Sequence, residues 1–452
     1  MGKELVDGST LSWRNQGSRG LFRRPLGFQN NPNERRTLHN RYTYQTDLTW
    51  RTLRQGLQPV EQQLWGLVVG ADQIFDRYDG VDGMLALQDV RHYDKRAAGY
   101  RGSWTRNLPA FLLSLGRDAY AMQQRETRSQ ENFRTGNRYD QVPQPTRQEY
   151  QAGGYAQVVR QLADPWMLMG LLRADVARLT LEDTQANYAL MTGGLELTRI
   201  KNYSQQRLSL GRYFRFPTID EAVGQVFGGR GVFEGNPDLT PEVSYEVEVA
   251  FQGRPGPLSY QVAAWATYFQ GRITEVLVEP PTTFSYRNVA YARSFGVEGW
   301  LQYRWGSSEQ PKPYWKLQLW GAWLRGDETE AGLFGSVVDP LLGIPPARLR
   351  WRGTMGLPLR PRWNLVWHTS LDRVFPFTRI PSGFNSQIWG IQEAEAYWLL
   401  GSEVVLRGQM WGTAFNLGIR GRNLTDALYY PLGTRIPERG RSLQVFVEVE
   451  WP

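Results

Sequence analysis

The sequence predicts an all-β protein, a large antiparallel transmembrane β-barrel, and three observations carry that expectation. In 244–252 the side chains of Tyr245, Val247, Val249 and Phe251 fall on one face, with Glu246, Glu248, Ala250 and Gln252 on the other. This is the period-2 pattern of a strand set between two environments. The 47 Gly and 26 Pro are scattered as hairpin punctuation, and aromatics reach 13% with 18 Trp and 22 Tyr. Such a profile suits many strands joined by turns and ringed by interfacial aromatics. Mean hydropathy is −0.49, and the longest apolar runs, such as 166–172, fall far short of the roughly 18 residues a membrane helix needs. A membrane crossing must then be made by strands. Soluble β-proteins alternate too, so periodicity alone leaves that class open.

No composition shift marks a domain boundary, and 1–452 reads as one barrel domain, because large barrels run as single closed units. The opening MGKELVDGSTLSWRNQGSRG has no apolar h-region and no small-residue cleavage site, so a fragment beginning inside a barrel is expected. Early strand candidates are 41–53 and 62–75. A hairpin follows at 155–162 and 166–176 around Ala163, Asp164 and Pro165, its short turn pointing to the periplasmic side. The stretch 123–147, nearly devoid of apolar residues, is expected to be a long extracellular loop. In 364–371, Leu365, Trp367, Thr369 and Leu371 alternate with Asn364, Val366, His368 and Ser370, which places His368 toward the lumen. The last strand alternates Leu443, Val445, Val447, Val449 and Trp451 with Gln444, Phe446, Glu448 and Glu450.

Charge and chemistry narrow the function classes. Lys and Arg exceed Asp and Glu by 52 to 44, for a net +8, an excess able to draw anionic solutes or lipid headgroups or simply to solvate the surface. With no Cys, disulfide scaffolds and thiolate metal sites are excluded. His39, His92 and His368 lie far apart without metalloprotease spacing, no phosphate-cradling loop or nucleophile elbow occurs, and no enzyme activity, metal or cofactor is expected. Asp76, Asp79, Asp82, Asp89 and Asp94 form an acidic stretch able in principle to offer calcium its oxygens, although the spacing is not that of an EF-hand. Interleaved Arg and aromatics recur at strand spacing, which argues for barrel girdles and against nucleic acid.

Six ordered landmarks carry a resemblance over 165–452. These are WMLMGLLRADV, with Gly170, Leu171, Arg173 and Asp175; FRFPTIDE, with Arg215, Pro217, Thr218 and Glu221; and GNPDLTPE, with Asn236, Pro237, Asp238, Pro241 and Glu242. Then follow NVAYARSFGVE, with Asn288, Gly296 and Glu298; IPPARLR at 344–350; and NLTD, with Asn423 and Asp426, closed by Gly440 and Arg441. Together they resemble the β-barrel domain of the TonB-dependent outer-membrane receptors. Phe216, where the family carries a small residue, and Pro452 as last residue depart from its pattern.

The resemblance implies a 22-stranded wall, of which about 16 to 20 strands can be marked here. It also implies the bacterial outer membrane, lipid contact, and energy-coupled uptake of a large scarce solute such as a ferric siderophore, a cobalamin-like cofactor or a glycan. The TonB energy-coupling complex would act through a plug domain, and nothing resembling a plug precedes the first strands. A plugless passive pore and a truncated structural barrel are the alternatives, and a monomer is expected. The motif residues read as turn and register devices, since Pro fixes φ and Asn and Asp bond their own backbone. His368, Arg134 and Arg215 are the polar groups singled out for solute contact.

Overall fold

The computed structural model describes residues 2–4, 10–24, 34–52, 60–78, 84–143, 145–228, 231–279, 283–289, 291–306, 312–332, 335–341, 343–380, 393–410, 413–430, 438 and 440–450. Its strands run β1 (Gly2–Glu4), β2 (Thr10–Arg24), β3 (Glu34–Arg51), β4 (Val60–Tyr78), β5 (Leu85–Leu108), β6 (Phe111–Asn132), β7 (Arg138–Pro143) and β8 (Arg147–Ala163). Then come β9 (Trp166–Leu181), β10 (Thr184–Lys201), β11 (Ser204–Arg215), the short helix α1 (Ile219–Ala222), β12 (Gln225–Gly228) and β13 (Gly231–Glu234). After these lie β14 (Glu242–Gly253), β15 (Leu258–Gln270), β16 (Ile273–Glu279), β17 (Thr283–Asn288), β18 (Tyr291–Trp305) and β19 (Tyr314–Gly332). The chain finishes with β20 (Gly335–Pro340), β21 (Arg348–Arg360), β22 (Trp363–Val374), β23 (Tyr397–Met410), β24 (Thr413–Arg422) and β25 (Ser442–Glu450).

Among the described residues 21 strands share one antiparallel sheet. Of these, β7 and β20 are short flaps on β6 and β19, leaving 19 in the wall. Each wall strand pairs with the next in sequence, as in β14 with β15 and β15 with β18, so the barrel is an up-and-down meander. A second, four-stranded sheet (β12, β13, β17, β16) lies in the connections after β11 and β15. Among the described residues the outer edge of β25 carries no paired strand, and Leu443 is 73% exposed.

The two faces of the wall differ as the alternation requires. On the outer face Leu172, Leu195, Leu210, Val247 and Val297 stay exposed, the position of lipid-facing side chains. Toward its margins Arg199 lies over Trp166, Arg212 over Tyr245 and Arg373 over Trp398, so a cation caps each ring where the apolar band ends. The inner face is polar and cross-linked. There Arg173 donates to both Asp118 and Asp175, tying β9 to β6 across β8.

Wall strands turn tightly at one end, through 109–110, 164–165, 202–203, 254–257 and 361–362. The connections from β11 to β14, β15 to β18, β22 to β23 and β24 to β25 leave from the other end, beside the short turn 182–183. The 155–176 hairpin is therefore confirmed, with its turn at the tight end. The expected loop at 123–147 is corrected: 123–132 continue β6, 138–143 form β7, 147 opens β8, and among the described residues 133–137 and 145–146 lie outside strands. This ribbon is joined by backbone pairing and by ion pairs such as Arg128 with Asp89, not by an apolar face, so it leaves no apolar period-2 signal to read.

Candidate functional site

Two inner-face regions concentrate charged and polar side chains: a junction at the loop end and a ladder of cations on β18, β19 and β21. The junction begins where β11 ends. Arg215, its last residue, sits beside Glu242, the first of β14, in direct cross-strand register. Its guanidinium donates from Nε and Nη2 to Glu242 at 2.9 and 2.8 Å, and from Nη1 and Nη2 to Glu221 at 2.7 and 3.2 Å. Glu221 also closes a capping box on α1: the Thr218 hydroxyl accepts from the Glu221 N–H, and the Glu221 carboxylate accepts from the Thr218 N–H. Pro217 is buried just ahead of this cap, and Phe216 stacks on Tyr188 at 5.7 Å, giving the family departure a packing role. Buried Ile219, Ala222 and Val223 pack on Leu179 of β9 and Ala186 of β10.

GNPDLTPE completes the same junction. Asn236 accepts from the Asp238 N–H and donates to the Tyr286 carbonyl, with Pro237 and Asp238 forming the turn. Asn288 accepts from the Thr240 N–H and donates to the carbonyls of Thr240 and Gly271. Pro241 precedes β14, where no ladder N–H is required of it. Two connections far apart in sequence are thus pinned together by the motif side chains. Gly296 lies on the buried face of β18, where a Cβ would come within 2.7 Å of Trp265 and 2.9 Å of the Trp323 carbonyl. Glu298 is exposed on the inner face between Ala263 and Ala322.

The last motif forms a separate clasp. Asn423 and Asp426 adopt φ of +48° and +54°, the left-handed conformation that Asn and Asp tolerate best among non-glycine residues. Asn423 bonds the N–H and carbonyl of Ala427. Asp426 accepts from the Arg441 N–H and guanidinium at 2.9 and 3.1 Å, bonds that hold its carboxyl below the usual carboxylate range. At Gly440 a Cβ would lie 3.2 Å from the Asp426 carboxylate.

The structure does not bring the proposed solute contacts together. His368 faces inward on β22, as expected, and its Nδ1 is 2.9 Å from the Thr354 hydroxyl. Arg134 lies at the exposed tip of the β6 ribbon, its N–H bonded to Asn132. Arg215 is saturated by two carboxylates. The acidic stretch does not gather either: Asp89 is held by Arg91 and Arg128, Asp94 by Arg96, and Asp76 by Gln88, while Asp79 and Asp82 lie outside the described residues. Among the described residues no group of His, Asp and Glu is placed to hold a metal ion.

What sequence reading missed is the second region. Register places Trp300 opposite Trp320 and then Arg350, Gln302 opposite Gln318 and then Arg352, and Arg304 opposite Lys316. The alternating arginines of ARLRWR were the available signal, since period 2 puts Arg348, Arg350 and Arg352 on one face. Asp372 pairs with Arg348 and Arg350.

A family model described as TonB dependent receptor-like, beta-barrel matches residues 4–448. The chain belongs to that family. Among solved structures, the copper transporter OprC aligns with 99% of this receptor barrel and 70% of its own chain, at TM-score 0.76 and 17% identity. The FrpB iron transporter from Neisseria meningitidis aligns at TM-score 0.69 and 14% identity, again over 99% of this chain and 70% of its own. The hemophore receptor HasR of Serratia marcescens, solved with hemophore HasA and heme, gives 0.65 and 15% over 99% and 70%. At such identities these likenesses establish the receptor-barrel fold. No curated protein matches the sequence.

Proposed function

We propose that this barrel, a single domain over 1–452 acting as a monomer in the bacterial outer membrane, takes up a large scarce solute with energy supplied by the TonB complex. The observation that supports it most is the family match over nearly the whole wall, joined to a wall whose outer face is apolar and inner face is charged. A ferric siderophore, a heme-type metal complex or a copper complex fits the class of cargo for which the similar structures are named. On this reading the junction motifs set strand register and loop-end geometry and do not touch cargo. Coupling would run through an element other than the wall strands, whose side chains face either lipid or lumen. The test is uptake of a panel of radiolabelled ferric chelates by cells making the protein, with and without an active inner-membrane coupler. Coupler-dependent accumulation supports the reading, and accumulation indifferent to the coupler replaces it with a passive pore.

A further inference from the structure

We propose a cargo subsite on the inner wall, formed by Arg348, Arg350 and Arg352 of β21 with Trp300, Gln302, Gln318 and Trp320 of β18 and β19, which takes an organic polycarboxylate. The inference rests on the uptake reading for its biological meaning but not for its chemistry. These seven side chains line a cavity of about 400 Å³. Residues two apart on a strand stand roughly 7 Å from one another, so the three guanidiniums form a ladder along the lumen. Lys316 and Arg304 extend that ladder toward the tight-turn end, directly opposite each other in the β18–β19 register.

Cations cluster in this region. Like charges placed directly opposite on adjacent strands repel. Other inner-face arginines are matched, as Arg173 is by Asp118 and Asp175 and Arg420 by Glu403, whereas here several cations stand together without that match. Among the described residues no carboxylate lies within ion-pair distance of Arg304, Lys316 or Arg352. Among the described residues one acid, Asp372, pairs with the ladder and is shared between Arg348 and Arg350, Glu298 lies beside Trp300 without an ion pair to the ladder, and the Arg348 Nε is buried without a partner. An anion is the group this arrangement lacks. The guanidinium fork suits a carboxylate bidentately. The opposed Trp300 and Trp320 give an apolar platform for the body that carries it, and the Gln302–Gln318 pair supplies amide donors at the rim.

The experiment is isothermal titration of the full chain in detergent micelles with benzene-1,3,5-tricarboxylate, beside the neutral benzene-1,3,5-trimethanol. The expected result is saturable, salt-weakened binding of the tricarboxylate alone, lowered at least about tenfold by R352Q/K316Q and unchanged by R160Q on the outer face. Removing a repelling cation should leave the empty barrel folded, which unfolding in urea checks on the same samples. No saturable binding, equal binding of the neutral triol, or binding indifferent to R352Q/K316Q overturns the subsite. Failure of the uptake reading shows differently, as tricarboxylate binding that persists without any coupler-dependent accumulation.

Discussion

The junction and the cation ladder stand on the same inner face but treat charge in opposite ways. At the junction one cation, Arg215, meets two carboxylates, and the asparagines around it spend their donors and acceptors on backbone. On the ladder Arg304, Lys316 and Arg352 face one another with no acid in reach among the described residues. The difference teaches that the motif residues have their polar groups spent on neighbours, while charge is left over on the ladder, where no motif marks it and where the proposed subsite lies.

The strongest way to break this contrast is Arg215→Ala. It leaves Glu221 and Glu242, both largely covered, with only backbone N–H partners among the described residues, and breaking a buried pair costs about 3–5 kcal/mol, which the 40% exposure of Arg215 reduces to about 2 kcal/mol here. Urea unfolding of the micelle-bound barrel measures it; an unchanged midpoint would mean the junction is not structural. Gly296→Ala should follow at about 1–3 kcal/mol, because the new methyl meets Trp265 and the Trp323 carbonyl. Asn288→Ala removes two hydrogen bonds to Thr240 that join the two connections, and one to Gly271 within its own, and should cost about 1–2 kcal/mol. Its effect should appear as faster amide exchange at Thr240 without loss of the wall.

The smallest effect belongs to Asp426→Asn, and it depends on pH. Because Arg441 lowers the Asp426 carboxyl below its ordinary 3.8 in the folded state, the stabilisation is full above that value and is lost as pH falls through the folded value. The variant should therefore be slightly weaker than the parent at neutral pH and converge with it under strong acid. A gap between the two that widens on acidification would reverse the assignment.

Much of the wall was legible because lipid and water impose opposite demands on alternate residues. The faces of β14, β22 and β25 follow the alternation of 244–252, 364–371 and 443–450. The hairpin at Asp164 and Pro165 was legible from turn chemistry. The ribbon at 123–143 was not, since polar and ion-paired side chains such as Arg128 and Asp89 line it and leave no apolar pattern while backbone pairing persists. The junction's residues were visible as a motif, but their joining across about 50 positions, as between Thr240 and Asn288, is tertiary and leaves no local trace. The ladder was hidden because only strand register sets Arg352 beside Gln318 and Lys316 beside Arg304.

The most direct test of the central claim is accumulation of a labelled ferric chelate by cells producing this barrel, measured before and after the proton gradient across the inner membrane is collapsed. The account predicts that uptake stops while surface binding remains. Uptake that continues at the same rate would contradict it and make the barrel a passive channel.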